Sequence, residues 1–446
     1  MKTLIPADAV ASRLCIPPKN PAGAALRRSR FCVSLPCEAG TLLYHTLTGE
    51  LRLLSAGESL EQHRDALARA CFLVPADWDE VRFARQLRKV LAATMRSKGK
   101  TAFVVLPTTA CNARCHYCFE RGVKPVTMTI ETARAVAAYM ERHCAGKPIS
   151  LHWFGGEPLY NKPAIDAIAA ELNARGVRFS SRMTSNGFYL DPETSIRAKR
   201  DWHLEQVQIT LDGTETVYNR VKRYRDEEAN PYQRVMRNIA GALDAGIGVI
   251  VRLNMDKANA DDLFRLADEL RDRFEGRAGL SVVVVLLREV AGKIRCFDSE
   301  EEAIARRIEL TEKVARYGFG YPTGELSGKL IVNKCNADND AAEVILPDGG
   351  IARCEHVNCA GTVGSIFDEK RDEAEIQSWK ETAHFPECEE CALLPRCGVL
   401  KRCEWVKNGC PQNTRDAGMR MLNAQILEAY RKICRTGSEK TNETER

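Results

Sequence analysis

Residues 101–118 read TAFVVLPTTACNARCHYC, a short apolar, β-branched run followed at once by Cys111, Cys115 and Cys118. The run Thr101–Pro107 has the length and residue types of a buried strand. Beyond it, Ile130–Arg142 has the apolar spacing of an amphipathic helix. The alternation then repeats. Ser150–Phe154, Arg178–Thr184, Val207–Leu211, Ile247–Met255 and Leu280–Leu287 read as strands, and Ala164–Ala174, Tyr232–Ala245, Asp261–Phe274 and Glu301–Tyr317 as helices. Six strand–helix repeats predict an α/β fold, a partial (βα)6 TIM-like barrel with a parallel sheet. Apolar runs such as SVVVVLL suggest strands covered on both faces. In such a fold chemistry gathers at the C-terminal ends of the strands, which is where the three cysteines fall.

Upstream, Arg30–Leu54 reads as two or three short strands with a turn at Thr48–Gly49, and helical patterns follow. The expected division is a small α+β module over residues 1–100 and the barrel over 101–320. A cysteine-rich region over 321–434 and a polar, disordered tail over 435–446 complete it. The balance of 65 Lys+Arg against 60 Asp+Glu lacks the basic excess of a nucleic-acid binder. No apolar run is long enough to span a membrane, and no signal-like stretch opens the chain. The expected compartment is therefore the cytoplasm. There, 18 cysteines in 446 residues read as metal ligands more readily than as disulfides.

Three thiolates in a Cys-x3-Cys-x2-Cys loop can hold three corners of a [4Fe–4S] cluster and leave the fourth iron open to a small molecule. The competing structural zinc site wants four closed ligands, with His116 as the conceivable fourth.

CNARCHYC followed by Phe119 resembles the signature of the radical S-adenosylmethionine (SAM) enzymes. Gly155-Gly156-Glu157-Pro158, Thr184-Ser185-Asn186-Gly187 and Thr210-Leu211-Asp212-Gly213 follow later strands in the family's order. The resemblance implies that SAM sits on the open iron through its amine and carboxylate. Gly155 and Gly156 would bring backbone close to the amine, and Glu157 would accept from it. Ser185 and Thr210 offer hydroxyls to the ribose or carboxylate. Where relatives often carry an arginine ten residues after the aspartate, this chain has Lys222, between Arg220 and Arg223. Asp212 is expected to shape its turn.

Downstream, Cys335, Gly349-x4-Cys354, Cys388-x2-Cys391-x5-Cys397, Cys403 and Cys410 resemble a SPASM extension, which implies two auxiliary [4Fe–4S] clusters. Five residues separate Cys397 from Cys403, where three are usual. By motif position Cys388, Cys391, Cys397 and Cys410 hold one cluster. Cys335, Cys354 and Cys403 hold the other, with Cys359 or an open iron completing it. A zinc ribbon is the alternative. Cys15, Cys32, Cys37, Cys71, Cys144, Cys296 and Cys434 read as core residues or free thiols.

SPASM-bearing radical enzymes mostly modify peptides or proteins. The N-terminal LLYHTLTGELRLL resembles a group of peptide maturases and offers a strand edge for a leader peptide. The resemblance implies a ribosomally made precursor peptide as partner, a flavodoxin or ferredoxin as electron donor, and a thioether or other crosslink as product. Glu355 and His356 are candidate bases. The alternatives are a formylglycine-forming protein oxidase of the anaerobic sulfatase-maturase kind, a small-molecule radical dehydrogenase and a non-catalytic zinc protein.

Overall fold

The computed structural model describes residues 1–7, 25–94, 99–225, 230–287, 297–320, 326, 335–356, 361–382, 384–403, 410 and 412–444. The chain forms two compact units. One joins Met1–Arg96 to Pro322–Cys335 and Glu381–Arg446, and the other joins Ser97–Tyr321 to Asn336–Lys380.

The second unit is the partial barrel. Strands Ala102–Val105, Ile149–Trp153, Phe179–Ser185, Leu204–Leu211, Gly248–Met255 and Leu280–Leu286 lie side by side in chain order, each parallel to the next. Helices Ile130–His143, Lys162–Ala174, Pro231–Asp244 and Ala260–Phe274 alternate with them. Their apolar faces close one core with Phe103, Leu151, Met183, Ile209 and Val251 of the strands. The strands' other face departs from the expected two-sided burial. His152, Thr184, Gln208, Thr210 and Arg252 alternate with the core positions and are half-buried, and Arg182 is exposed. The polar rows line the inner side of a sheet that stays open. The first strand's free edge is taken by Ala342–Ile345, parallel to it, with Ile345 opposite Val105. Gly350–Ala352, Gly364–Ser365 and Asp368–Arg371 continue the sheet in antiparallel fashion. Residues 336–380 therefore extend the barrel sheet.

Two helices carry no readable apolar stripe. Pro192–Asp201 buries only Thr194, Ser195 and Ala198. Its mark in the sequence is the cap, Asp191 accepting from Thr194 N at 2.8 Å with proline at the first position. Glu215–Lys222 is the other, burying Tyr218, Val221 and Lys222.

In the first unit, strands Lys2–Ile5, Leu51–Ser55, Gly40–His45 and Cys32–Cys37 form an antiparallel sheet in that order. Val33, Leu42, Tyr44 and Leu51 pack with Leu422 and Ile426 of helix Gln412–Thr444. That helix carries the polar tail to Thr444, where composition predicted disorder. Extending a helix already anchored by packing needs no new nucleus. No helix among the described residues is long and apolar enough to cross a membrane.

Candidate active site and cysteine centres

The loop after the first barrel strand brings Cys111, Cys115 and Cys118 together, each half-buried and free of disulfides. Donors converge on the first sulfur. Ala113 N lies 3.3 Å from Cys111 Sγ and Asn186 Nδ2 lies 3.9 Å from it. Asn186 Nδ2 also donates to Asn112 Oδ1 at 2.7 Å, while the buried Asn112 Nδ2 has no partner. An orphaned amide beside the Cys111 thiol is chemistry that a thiolate- and sulfide-bearing group would satisfy. Burial pushes Cys111 up to about 12 and Cys118 to about 11, with Glu157 adding to the former. Burial also raises Cys115, against the opposing pull of Lys222.

The loop is braced from beneath. Tyr117 OH donates to Asp212 Oδ1 at 2.8 Å, and Lys222 Nζ stands 3.1 Å from Asp212 Oδ2. Lys222 and Asp212 are both buried. Burial alone would lower Lys222, but the Asp212 carboxylate outweighs it and holds the ammonium well above its ordinary range. Arg114 N donates to Lys222 O at 2.8 Å, and Arg225 N to Asn112 O at 2.9 Å. Lys222 thus faces Asp212 and Tyr117. Asp212 does shape its turn, since its carbonyl accepts from Asn259 Nδ2 at 2.9 Å.

The Gly155–Pro158 segment also braces. A Cβ on Gly156 would lie 2.4 Å from Ala110 O, and one on Gly155, at φ +110°, would lie 2.3 Å from Thr108 O. The glycines' close approach is therefore to the backbone that leads into Cys111. Glu157 is fully buried and accepts from Ser185 Oγ at 2.8 Å, Asn186 N at 2.7 Å and Leu159 N at 3.1 Å. Burial lifts its carboxyl to about 7, against those donors. Ser185 Oγ in turn accepts from Gly187 N at 2.9 Å. Glu157 and Ser185 thus tie the strand ends to one another. Thr210, on the inner row, has its hydroxyl clear of such partners among the described residues.

Glu355 and His356 separate. Glu355 Oε2 accepts from Asn336 Nδ2 at 3.2 Å. The His356 ring stacks on Phe119 with centroids 4.2 Å apart, next to Cys118, and Phe119 stacks on Phe154. Sequence reading missed Asn112, Tyr117 and the inner row, although the first two lie inside the quoted motif. The inner row was hidden by the expectation of two-sided burial. His116 faces Asp256 at 3.9 Å.

In the first unit, Cys388, Cys391, Cys397 and Cys410 line one cavity of about 90 Å³. This is the set that motif position grouped. Helices Pro386–Glu390 and Leu394–Arg396 carry or precede three of them. Cys335 and Cys403 belong to this unit and Cys354 to the other. Cys359 and the segment 404–409 lie outside the described residues, as do Cys15 and Cys296. Among the described residues no three His, Cys, Asp or Glu side chains are grouped to hold a metal ion as they lie.

Residues 105–270 match the sequence model of the Radical SAM superfamily. Among curated proteins no sequence matches the chain. Solved structures share its fold at low identity. Native anSMEcpe with bound AdoMet and Cp18Cys peptide is 13% identical, with a TM-score of 0.55 over 76% of this chain and 99% of that one. SuiB of Streptococcus suis bound to its precursor peptide SuiA is 14% identical, with a TM-score of 0.50 over 86% of this chain and 95% of that one.

Proposed function

We propose that the chain is a radical SAM enzyme with a SPASM-like extension that matures a ribosomally made peptide by forming an intrapeptide thioether or another crosslink, a reading supported by the family match over residues 105–270 and the shared fold of anSMEcpe and SuiB. The observation that carries the reading is the placing of three half-buried thiols in one loop after the first strand of an open parallel barrel with a polar inner face. Cys111, Cys115 and Cys118 would hold three irons of a [4Fe–4S] cluster, and the donors aimed at Cys111 Sγ and the orphaned Asn112 amide fit that group. When bound, the cluster and SAM supply a 5′-deoxyadenosyl radical able to take a hydrogen atom from an unactivated C–H bond.

The chain's own residues do the rest. Tyr117, Asp212 and Lys222 fix the loop from below. Glu157 ties the Gly155–Gly156 turn to Ser185 and Asn186, so the strand ends keep one arrangement. Thr210, His152, Thr184 and Arg252 line the inner face where a peptide segment would lie. His356, which stacks on Phe119 next to the cysteine loop, would take the thiol proton. Cys388, Cys391, Cys397 and Cys410 would hold a second cluster, whose chemistry there is to accept an electron. The peptides bound to anSMEcpe and SuiB support a peptide substrate for this fold.

For a thioether, the peptide loses one hydrogen atom from carbon, plus one thiol proton and one electron. The test is anaerobic incubation of the reconstituted protein with SAM, a reductant and the precursor peptide encoded beside its gene. The expected result is 5′-deoxyadenosine and a peptide two hydrogens lighter, one of whose thiols no longer alkylates. A lighter peptide with all thiols free would make the product a different crosslink or an oxidation. SAM turnover with an unchanged peptide would remove the maturase reading.

A further inference from the structure

Helix Glu80–Thr94 belongs to the N-terminal module, yet its side chains form part of the four-cysteine cavity some 300 positions later in the chain. Its placement is fixed at both ends of the argument. Glu80, almost fully buried, accepts from Ser29 Oγ and Arg27 Nη1, both at 2.5 Å, and from Arg30 N at 3.2 Å. Those bonds pin the helix's first turn to the segment 27–30. One and two turns later, Ala84 and Leu87 are buried with Phe31 and Leu47, and Leu394 packs against them. The buried stripe turns Arg88, one residue after Leu87, toward the cysteines. There its guanidinium donates to the carbonyl oxygen of Cys397. Arg85 and Arg88 line the cavity together with Arg415 of the last helix. The acidic side chains of the neighbouring Pro386–Glu390 segment do not line it.

We infer that Arg88 is a positioning residue of the four-cysteine centre, which makes the N-terminal module a wall of that centre and sets the centre's reduction potential. The inference rests on Cys388, Cys391, Cys397 and Cys410 holding an iron–sulfur cluster. A fixed cation beside such a cluster stabilises its more negative, reduced state, and a donor to a ligand's carbonyl holds the ligand loop in place. The charge raises the potential, and the bond to Cys397 O keeps the charge in place. Because the guanidinium is half-buried, salt screens it less than it would an exposed charge.

The experiment uses the full chain with Cys111, Cys115 and Cys118 replaced by alanine, so that the barrel's cluster is silent. Iron and sulfide are counted first. If no iron is retained, the reading of the C-terminal cysteines fails, not the inference about Arg88. With iron retained, an electrode-poised titration followed by electron paramagnetic resonance reads the midpoint potential. Arg88→Gln should shift the reduced-to-oxidised ratio at fixed potential about tenfold toward oxidised, or about 59 mV for a one-electron couple. Arg88→Lys, which keeps the charge, should recover most of that shift and serves as the readout if Arg88→Gln does not fold. Arg82→Gln, on an exposed face of the same helix, should leave the potential where it was. An Arg88→Gln potential equal to the parent's, or an equal shift from Arg82→Gln, would overturn the inference.

Discussion

The three-cysteine loop and the four-cysteine cavity are built by opposite means. The loop takes all its thiols from eight consecutive residues, and its braces Glu157 and Asp212 follow strands of one parallel sheet, with Lys222 ending the helix after Asp212. The cavity takes its thiols from residues 388–410 and its wall from a helix at 80–94. A local motif carried by a regular sheet is robust to what lies elsewhere in the chain. A centre walled by distant sequence depends on the whole unit folding. The N-terminal module is thus no detachable appendage: its sheet packs with the last helix in one cluster, and its helix packs with Leu394 in a second.

That difference can be broken by experiment. The largest effect expected is from Cys115→Ala, which should abolish 5′-deoxyadenosine formation and remove about four of about 12 irons per chain, with the fold retained. Cys391→Ala should remove a similar share of iron and leave SAM cleavage in place, as measured by 5′-deoxyadenosine in a substrate-free assay. Deleting residues 1–95 should resemble Cys391→Ala in iron content, because it strips the wall from the cavity. Intact iron in the deletion would show that the two halves of the first unit are independent.

The next effect concerns the barrel's brace. Lys222→Ala leaves a fully buried Asp212 without its cation, at a cost of about 3–5 kcal/mol in urea unfolding of the metal-free protein. Adding Asp212→Asn should recover much of that loss, and a double variant no better than the single one would deny the pairing. Gly156→Ala should cost about 3 kcal/mol, since its Cβ would lie 2.4 Å from Ala110 O and backbone must move.

The smallest effect separates the units by pH. His45, in the first unit, is fully buried between Phe31 and Phe72, and accepts at Nδ1 from Thr48 N at 3.2 Å. Burial pushes it down from the ordinary value to about 3. Its folded form is neutral, so this contribution to stability is fully present above the unfolded value near 6.5 and is lost as pH falls below it. Between pH 6.5 and 5 the loss is about 2 kcal/mol. Hydrogen exchange across residues 29–48 should quicken over that window in the parent and not in His45→Gln. An unchanged pH response in His45→Gln would place the acid sensitivity elsewhere, with the half-buried His152 of the barrel as the next group to test.

Local pattern was enough for the strand order, the helices with apolar stripes and the cysteine loop. Each depends on side-chain periodicity or spacing within a few residues, and the register of Thr101–Cys118 sets where the thiols emerge. The resemblance to a SPASM extension grouped Cys388, Cys391, Cys397 and Cys410, and the four line one cavity. Tertiary structure alone decided what the polar residues near those thiols are for. Glu157, Ser185 and Lys222 carry the right chemistry for a ligand, and the fold sets each of them against protein partners as well. Whether a buried carboxylate meets a cofactor or a neighbouring hydroxyl depends on which strand ends converge. The same holds for Arg88, an ordinary helix residue until the fold sets it against Cys397. Spacing along the chain encodes which groups travel together; only packing, which pairs residues hundreds of positions apart, settles what each of them faces.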